Sequence, residues 1–510
     1  MTHRPRLTRD LLVDAQFVAR TGAALPTSGG QARPERIMQF GSGAFLRAFL
    51  GDIIDAANAR GAFDGSIVVV GTTGSARGAL LTEQGGLYAV SEQGVAGGAA
   101  VDALRVLGAT SRALDASEDW DAVLALARTP ALRLVVSNTT EVGLSLVAGD
   151  VLGATAPQSF PAKLTHVLLE RWRARGAEAH SGLTILPCEL VPDNGPTLQA
   201  LVLQQAKRWA LDGEFANWVA TRCRFCSTLV DRIVPGVACG DEAERLEARL
   251  GARDALLTVC EPYRLFAIEG DAALRAALGF ADGDPTVVVA PDISPYRTRK
   301  VRVLNGGHTA SVAAGLLCGV STVRELVTDA RLGAFVRRAI FDEIVPSLDV
   351  DGGEAFARDV LDRFANPRIR HALADITLQG TAKMRARVIP SVVSFTARTG
   401  RAPQALAFGV AAHLLFLRGD LQTRWASEGR PVPLDTEGAV VRDAWQGADT
   451  SSPKAREAFV GGLCGNAVLW GTDLSALPGF ASAVAGHLGR LLQGGVNAAL
   501  DVLLATQEHG

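Results

Sequence analysis

Short apolar runs alternate with longer stretches of helical period along the N-terminal half of the chain. Ile37-Met38-Gln39-Phe40, Ser66 to Val70 (SIVVV), Leu132 to Val136, Leu183 to Leu186 and Thr286 to Ala290 each have the length and apolar content of a buried strand. Between them lie helical patterns. Ala44 to Ala59 places Phe45, Phe49, Ile53, Ile54 and Ala57 on one face, and Ser159 to Arg175 and Thr197 to Ala210 read similarly. Strands alternating with helices predict a mostly parallel, doubly wound α/β sheet covered on both faces. Past Asp292 the texture changes. Amphipathic patterns dominate (Thr322 to Ile344, Ala355 to Phe364, Phe480 to Leu504), and no run of β-branched strands is evident from Lys300 onward. Two domains are therefore expected. Residues 1–295 form the α/β domain, with a flexible polar lead-in over about 1–34, and residues 296–510 form a mainly α-helical domain. Function is expected in the cleft between them.

Composition narrows the function classes. With 48% apolar and 20% charged residues the chain has material for a large core, which excludes a disordered or fibrous protein. Lys plus Arg number 51 against 53 Asp plus Glu, so no basic excess exists to hold a nucleic-acid backbone. The N-terminal MTHRPRLTRDLLVDAQF has no apolar core of the kind a secretory signal needs. The most apolar later stretch, Ala405 to Leu417, is well short of the roughly 20 residues of a membrane span and contains His413. No membrane partner is expected, and a cytoplasmic location is. Seven scattered cysteines point to reduced thiols. Cys223-Arg224-Phe225-Cys226 lacks a second matching pair, since Cys239 and Cys260 are too far apart, so buried thiols are expected rather than a metal site.

Gly41-Ser42-Gly43-Ala44-Phe45-Leu46 follows the first strand and opens a helix. The first glycine permits a tight turn, and the second lets a pyrophosphate approach the backbone at the helix N-terminus. The third position of the dinucleotide fingerprint holds Leu46. Phe40, Gly41, Ser42, Gly43, Ala44 and Phe45 are the candidate cofactor-binding residues, with Asn138, at the end of a later strand, as a candidate to face a nicotinamide. An acid for the ribose hydroxyls is expected after the second strand. That stretch reads Gly71-Thr72-Thr73-Gly74-Ser75-Ala76-Arg77 and has none. Small hydroxyl side chains plus an arginine could instead accommodate a 2′-phosphate, so NAD and NADP both stay open.

Lys300-Val301-Arg302-Val303-Leu304-Asn305-Gly306-Gly307-His308 carries candidate chemistry. At about 100° per residue, Lys300, Asn305 and His308 fall within one arc of roughly 140° on a helix. A lysine, a carboxamide and an imidazole on one face suit proton transfer coupled to hydride transfer. An ammonium can donate the proton to a ketone oxygen, and an amide N–H can stabilise the charge developing there. In the reverse direction a neutral lysine acts as base, which burial and the nearby Arg297, Arg299 and Arg302 would favour. Read by spacing alone, the same residues also fit a solvent-exposed polar face kinked by Gly306 and Gly307.

These segments, together with Ser137-Asn138-Thr139-Thr140-Glu141-Val142-Gly143, Ser159-Phe160-Pro161-Ala162-Lys163-Leu164-Thr165, Pro187-Cys188-Glu189-Leu190 and Ser227 to Val234 (STLVDRIV), resemble the polyol-specific long-chain dehydrogenases, the group that includes mannitol dehydrogenase and the hexuronate reductases. Within that group the chain is most similar to the branch that interconverts tagaturonate and altronate. The resemblance implies a zinc-independent oxidoreductase with an extended Rossmann domain, a helical substrate domain, a nicotinamide cofactor and a keto-hexuronate substrate. It implies Lys300 as general acid/base, with Asn305 and His308 orienting substrate and polarising its oxygen. It places Asp231 and Lys383 near the substrate. Where mannitol-type members have a Cys-Asp-Asn motif, this chain has Cys188-Glu189-Leu190, so either Asn194, the nearest carboxamide, is a substrate contact in its place or Asn305 works without that partner. The implied anionic substrate calls for a cation, and Arg385, Arg387, Lys383 and Arg302 are candidates. Fructuronate, a neutral polyol such as mannitol, and a non-catalytic nucleotide or sugar sensor on the same scaffold are the alternatives. The oligomeric state is open.

Overall fold

The computed structural model describes residues 4–26, 32–71, 76–139, 143–369 and 371–505. It falls into two compact units, one of Met1–Gln93 with Ala100–Ile293, the other of Gly94–Ala99 with Ser294–Gly510.

The first unit is built on a six-stranded, all-parallel sheet of β1 (Glu35–Phe40), β2 (Ser66–Gly71), β3 (Thr110–Asp115), β4 (Leu134–Ser137), β5 (Thr184–Pro187) and β6 (Arg224–Phe225), in the order 3-2-1-4-5-6. This is the Rossmann strand order, which reverses between β1 and β4 and opens a crevice beyond their carboxyl ends. Helix α1 leaves β1 as Ala44–Leu46, widens into a π turn at Arg47–Gly51 and continues as Asp52–Ala59. Helix α2 (Phe160–Arg175) leads into β5, and α3 (Asn194–Arg208), followed by helix Gly213–Arg222, precedes β6. Alternate strand residues feed two cores. Ile37, Ile67, Val69, Leu134 and Val136 pack with Ile53 and Ile54 of α1, whereas Met38, Phe40, Val68, Val70 and Val135 pack with Leu164 and Val167 of α2. Both faces are covered, which is why the strands read as continuous apolar runs.

Three expectations need correcting in this unit. The lead-in is docked where described. Asp14 caps helix Ala15–Arg20, and Leu7 and Phe17 are buried against Leu246, Leu250 and Leu257. The strand expected at 286–290 forms at Val287–Ala290, but in a separate three-stranded sheet with Leu265–Glu269 and Thr228–Asp231. A long hairpin, Tyr88–Ala96 and Ala99–Leu107, was not foreseen. Its turn, Gly97-Gly98, has φ of 58° and 76°, the glycine pair such a turn requires and the signal that could have found it.

The second unit is helical. Its central helix, α4, starts as Ser294–Arg299, passes through a π turn at Lys300–Asn305 and continues as Gly306–Leu317. Helix α5 (Gly380–Arg387), the almost wholly buried α6 (Gln404–Phe416) and α7 (Phe480–Ala505), kinked at Gly495, complete the elements used below. The single helix expected over 322–344 is divided. Asp329 accepts from the Arg331 and Leu332 amides, ending Val323–Thr328 and capping Ala330–Arg337, and a further π turn follows at Arg338–Ile344. Among the described residues beyond Lys300 the only β pairing is the isolated bridge Thr322–Ala372. No helix among them is long and apolar enough to cross a membrane.

Burial in this unit sets a pH dependence. His487, 4% exposed and packed edge-on to Phe408, is pushed down to about 4 by burial and by Arg490 and Arg338. A histidine whose folded pKa lies below its unfolded value of about 6.5 supports the fold fully above that pH. Its contribution is lost as pH falls from there toward 4, at about 1.4 kcal/mol per unit, or about 2 kcal/mol by pH 5. His487→Gln is therefore expected to lose about 2 kcal/mol less than the parent on acidification from about pH 7 to pH 5 in urea unfolding. An identical loss in both proteins would remove His487 from the account.

Candidate active site

The glycine turn stands at the C-terminal end of β1. Gly41 has φ 110°, and a Cβ there would lie 3.2 Å from the Asn138 carbonyl oxygen, so both conformation and space require glycine. Its N–H donates to the Val70 carbonyl at 3.0 Å, and the buried Arg47 guanidinium donates to the Ser42 carbonyl at 2.6 Å. Gly43 has ordinary backbone angles, but a Cβ there would enter open space. That space is a cavity of about 620 Å³ lined by Gly41, Ser42, Gly43, Asn138, Thr139 and Lys163, with Arg77 also on its wall. A glycine-walled cavity at a helix N-terminus and a sheet reversal fits a dinucleotide. Gly43→Leu should weaken binding of reduced dinucleotide about tenfold or more, since the side chain takes ligand space at no backbone cost. A fluorescence titration checks this, and parental affinity in the variant would contradict it.

Of the sequence-derived cofactor residues, Gly41, Ser42, Gly43 and Asn138 line the cavity. Phe40 is buried against Phe160 at 5.1 Å, Phe45 stacks on Phe49 at 5.0 Å, and Ala44 is the first residue of α1. None of these three is among the residues that line the cavity. Thr139 and Lys163 were missed as cavity residues. Lys163 is 5% exposed on the cavity wall, donates to the Gln158 carbonyl at 2.6 Å, and is pushed down by burial. Thr72–Ser75 lie outside the described residues, as do Thr140, Glu141 and Val142 of the SNTTEVG segment.

Two of the quoted motifs meet. Glu189 of Pro187-Cys188-Glu189-Leu190 accepts from the Ser137 hydroxyl (3.1 Å) and from the Thr139 N–H and hydroxyl (2.9 and 3.0 Å), and Asn138 donates to the Cys188 carbonyl at 2.8 Å. Burial pushes the Glu189 carboxyl up, with these donors opposing it. Asn194, in contrast, is fully buried and committed. Its amide donates to the carbonyls of Pro187 (2.9 Å) and Glu189 (3.0 Å), and its oxygen accepts from the Thr228 N–H at 2.9 Å. It ties β5 to strand Thr228–Asp231 and has no N–H left for a substrate oxygen, which corrects its assignment as a substrate contact. Asp231 ends that strand, buried and paired across from Leu265. Cys223 and Cys226 are buried free thiols, and no cluster of metal-ligating side chains exists among the described residues.

Lys300, Asn305 and His308 all lie on α4, but not with the α-helical spacing assumed above. The Gly306 N–H reaches back to the Val301 carbonyl, an i→i+5 bond. This π closure puts residue i+5 near the offset an α-helix gives residue i+4, roughly 40°, so Asn305 comes closer in line with Lys300 than the 140° of an unbroken helix. Both side chains are half-buried, and His308 is buried. The two glycines serve close packing within the protein. A Cβ at Gly306 would lie 2.9 Å from the Arg387 carbonyl, and one at Gly307 2.9 Å from Ile340.

That approach brings α5 against α4 and assembles a cationic cluster. The His308 ring lies 5.8 Å from His371 and 6.0 Å from Phe364, and Arg387 donates to the Thr309 hydroxyl at 3.4 Å. Lys383 donates to the Ile376 carbonyl at 3.0 Å. Burial, then Arg387, His371 and Lys383, hold His308 well below the usual imidazole range, so its ring is neutral. Its buried Nδ1 has no hydrogen-bond partner among the described residues. Burial also lowers Lys383, Arg387 and His371, and none of the four is ion-paired among the described residues. Arg385 is different. Its guanidinium forks onto Glu437 at 2.6 and 2.9 Å, which removes it from this cluster. Arg302 is held by the hydroxyls of Ser391 (2.6 Å) and Ser347 (3.1 Å).

Residues 35–279 match the Mannitol dehydrogenase Rossmann domain, and residues 292–488 match the Mannitol dehydrogenase C-terminal domain. The chain belongs to the mannitol dehydrogenase family. It is thus a dehydrogenase/reductase of that family. Relatives include the altronate oxidoreductase of Klebsiella pneumoniae (strain 342), 41% identical over 93% of this chain and 98% of that protein. The altronate oxidoreductase of Bacillus subtilis (strain 168) is 36% identical over 92% and 95%. Among solved structures, the Pseudomonas fluorescens mannitol 2-dehydrogenase in ternary complex with NAD and D-mannitol matches with a TM-score of 0.64 at 25% identity, covering 96% of this chain and 99% of that one. A substrate-free D-sorbitol dehydrogenase of this fold matches with a TM-score of 0.74 at 22% identity, covering 98% and 100%.

Proposed function

We propose that this mannitol dehydrogenase family member reduces tagaturonate to altronate, and runs the reverse reaction, with NAD as cofactor. The observation that carries the substrate choice is that Lys383 and Arg387 of α5, neither of them ion-paired among the described residues, come together with His308 of α4 and with His371. A neutral polyol gives no return for assembling half-buried cations without an ion pair, whereas a sugar acid does. The relatives named altronate oxidoreductase support the same reading.

The first unit holds the cofactor at the glycine turn, and the second bears Lys300, Asn305 and His308. A bound nicotinamide supplies the hydride that goes to the substrate's carbonyl carbon. Lys300, as an ammonium, gives its proton to the carbonyl oxygen, and the π turn sets Asn305 to hold that oxygen through its amide N–H. His308, neutral and with an unpaired nitrogen, orients a substrate hydroxyl. Arg387 and Lys383 bind the carboxylate, leaving Arg385 to structure, and Asp231 accepts from a hydroxyl. Mixing the protein with NADH and tagaturonate should consume reduced cofactor and yield altronate. Dinucleotide binding in calorimetry without consumption for any keto acid would identify a sensor instead.

A further inference from the structure

Helix α5, which carries Lys383 and Arg387, starts from a residue in a conformation that side chains disfavour. Its N-cap Gln379 has φ 51°, in the left-handed region. A single segment, Leu434–Gly438, holds it there. The Gln379 N–H donates to the Leu434 carbonyl at 2.7 Å, and its side-chain oxygen accepts from the Thr436 N–H at 3.1 Å. Within the first turn of α5, the Asp435 carboxylate accepts from both the N–H and the hydroxyl of Thr381, at 2.9 and 2.8 Å, while its other oxygen accepts from the Gly438 N–H at 3.1 Å. In the last turn, Glu437 takes the fork of Arg385. Asp435 is 6% exposed, and the space around it is kept by two glycines. A Cβ at Gly438 would lie 2.8 Å from its carboxylate, and one at Gly380 3.4 Å.

The segment therefore grips α5 at its start and its end, on residues that alternate with Lys383 and Arg387. A helix gripped at both ends can neither rotate nor slide, and a one-residue shift would move its side chains by about 100°. We propose that Leu434–Gly438 is a specificity clasp, in which Asp435 and Glu437 are positioning residues that set where Lys383 and Arg387 meet the substrate carboxylate. This rests on the reading that those two cations hold that carboxylate. Asp435 also supports the charge on Lys383, which burial and Arg387 oppose; His308 and His371 are the other titratable groups beside Lys383.

The test is steady-state kinetics of the full chain with tagaturonate and NADH. Glu437→Gln, at a side chain 35% exposed and so tolerant of change, is expected to raise KM for the keto acid about tenfold, with kcat within about threefold and dinucleotide affinity unchanged, the pattern of lost ground-state positioning. Asp435→Asn is expected to do the same and to make KM rise with increasing pH from a lower pH than in the parent, because Lys383 then gives up its proton sooner. Unchanged KM in Glu437→Gln, or a loss confined to kcat, would overturn the proposal even if the buried Asp435 variant failed to fold. Arg387→Met run alongside separates the two ideas. If it leaves KM unchanged, the substrate reading fails; if it raises KM while Glu437→Gln does not, the clasp alone fails.

Discussion

Lys300→Ala is expected to lower kcat for keto-acid reduction by about a thousandfold, inside the 10²–10⁴ range of a positioned general acid. Dinucleotide affinity should stay at the parental value, because the glycine-turn cavity is formed by residues of the other unit. The magnitude follows from what the ammonium does. Hydride arrival leaves negative charge on oxygen, and without a donor at hand that charge must be neutralised by water in a site built to exclude it. Asn305→Ala should cost less, about tenfold to a hundredfold, since an amide N–H stabilises the oxygen without moving a proton. Because the π turn alone brings Asn305 into line with Lys300, a change that restored an unbroken α-helix there should act like the loss of Asn305. Rapid-mixing measurement of cofactor oxidation, alongside a binding titration, separates chemistry from binding. A Lys300→Ala protein turning over at the parental rate would end the mechanism.

Arg387→Met should have the second largest effect, raising KM for tagaturonate by about thirtyfold to a hundredfold. A buried charge-assisted contact to a carboxylate is worth about 2–3 kcal/mol, and its loss appears in ground state and transition state alike. Lys383→Met should follow the same pattern more weakly, since its amine is already engaged by the Ile376 carbonyl. Arg385→Met is the informative contrast. Its guanidinium is spent on Glu437, so any effect comes through the placement of α5 and cannot exceed that of Arg387. An Arg385 variant more damaging to KM than the Arg387 variant would reverse the assignment.

These distinctions show what was legible in the chain and what was not. The parallel sheet was, because strands buried on both faces leave continuous apolar runs, and Ile37-Met38-Gln39-Phe40 before a glycine turn can be read without a structure. The lysine, asparagine and histidine on one helix were also legible, but not the π turn between them, which depends on how Gly306 packs against the Arg387 backbone. The long hairpin was hidden because Ala99-Ala100-Val101-Asp102-Ala103-Leu104-Arg105 does not alternate cleanly, although Gly97-Gly98 marked its turn. Asn194 and Arg385 looked like site residues because polarity and nearness in sequence do not tell whether a side chain's donors are already spent. Only the Thr228 amide for Asn194 and the Glu437 carboxylate for Arg385 decide that. Lys163, conversely, drew no notice in the sequence and stands on a cavity wall. The choice of Arg387 from four cations required seeing it reach Thr309, the neighbour of His308, from a distant part of the chain.

The most direct test of the central claim compares kcat/KM for NADH-dependent reduction of tagaturonate, fructuronate and fructose by the unmodified protein. The cationic cluster predicts that both keto acids are reduced far faster than fructose, at least a hundredfold in kcat/KM, and the altronate oxidoreductase relatives predict tagaturonate as the better of the two. Fructose reduced as well as the keto acids would contradict it, because the half-buried cations of α5 would then draw nothing from a substrate's negative charge.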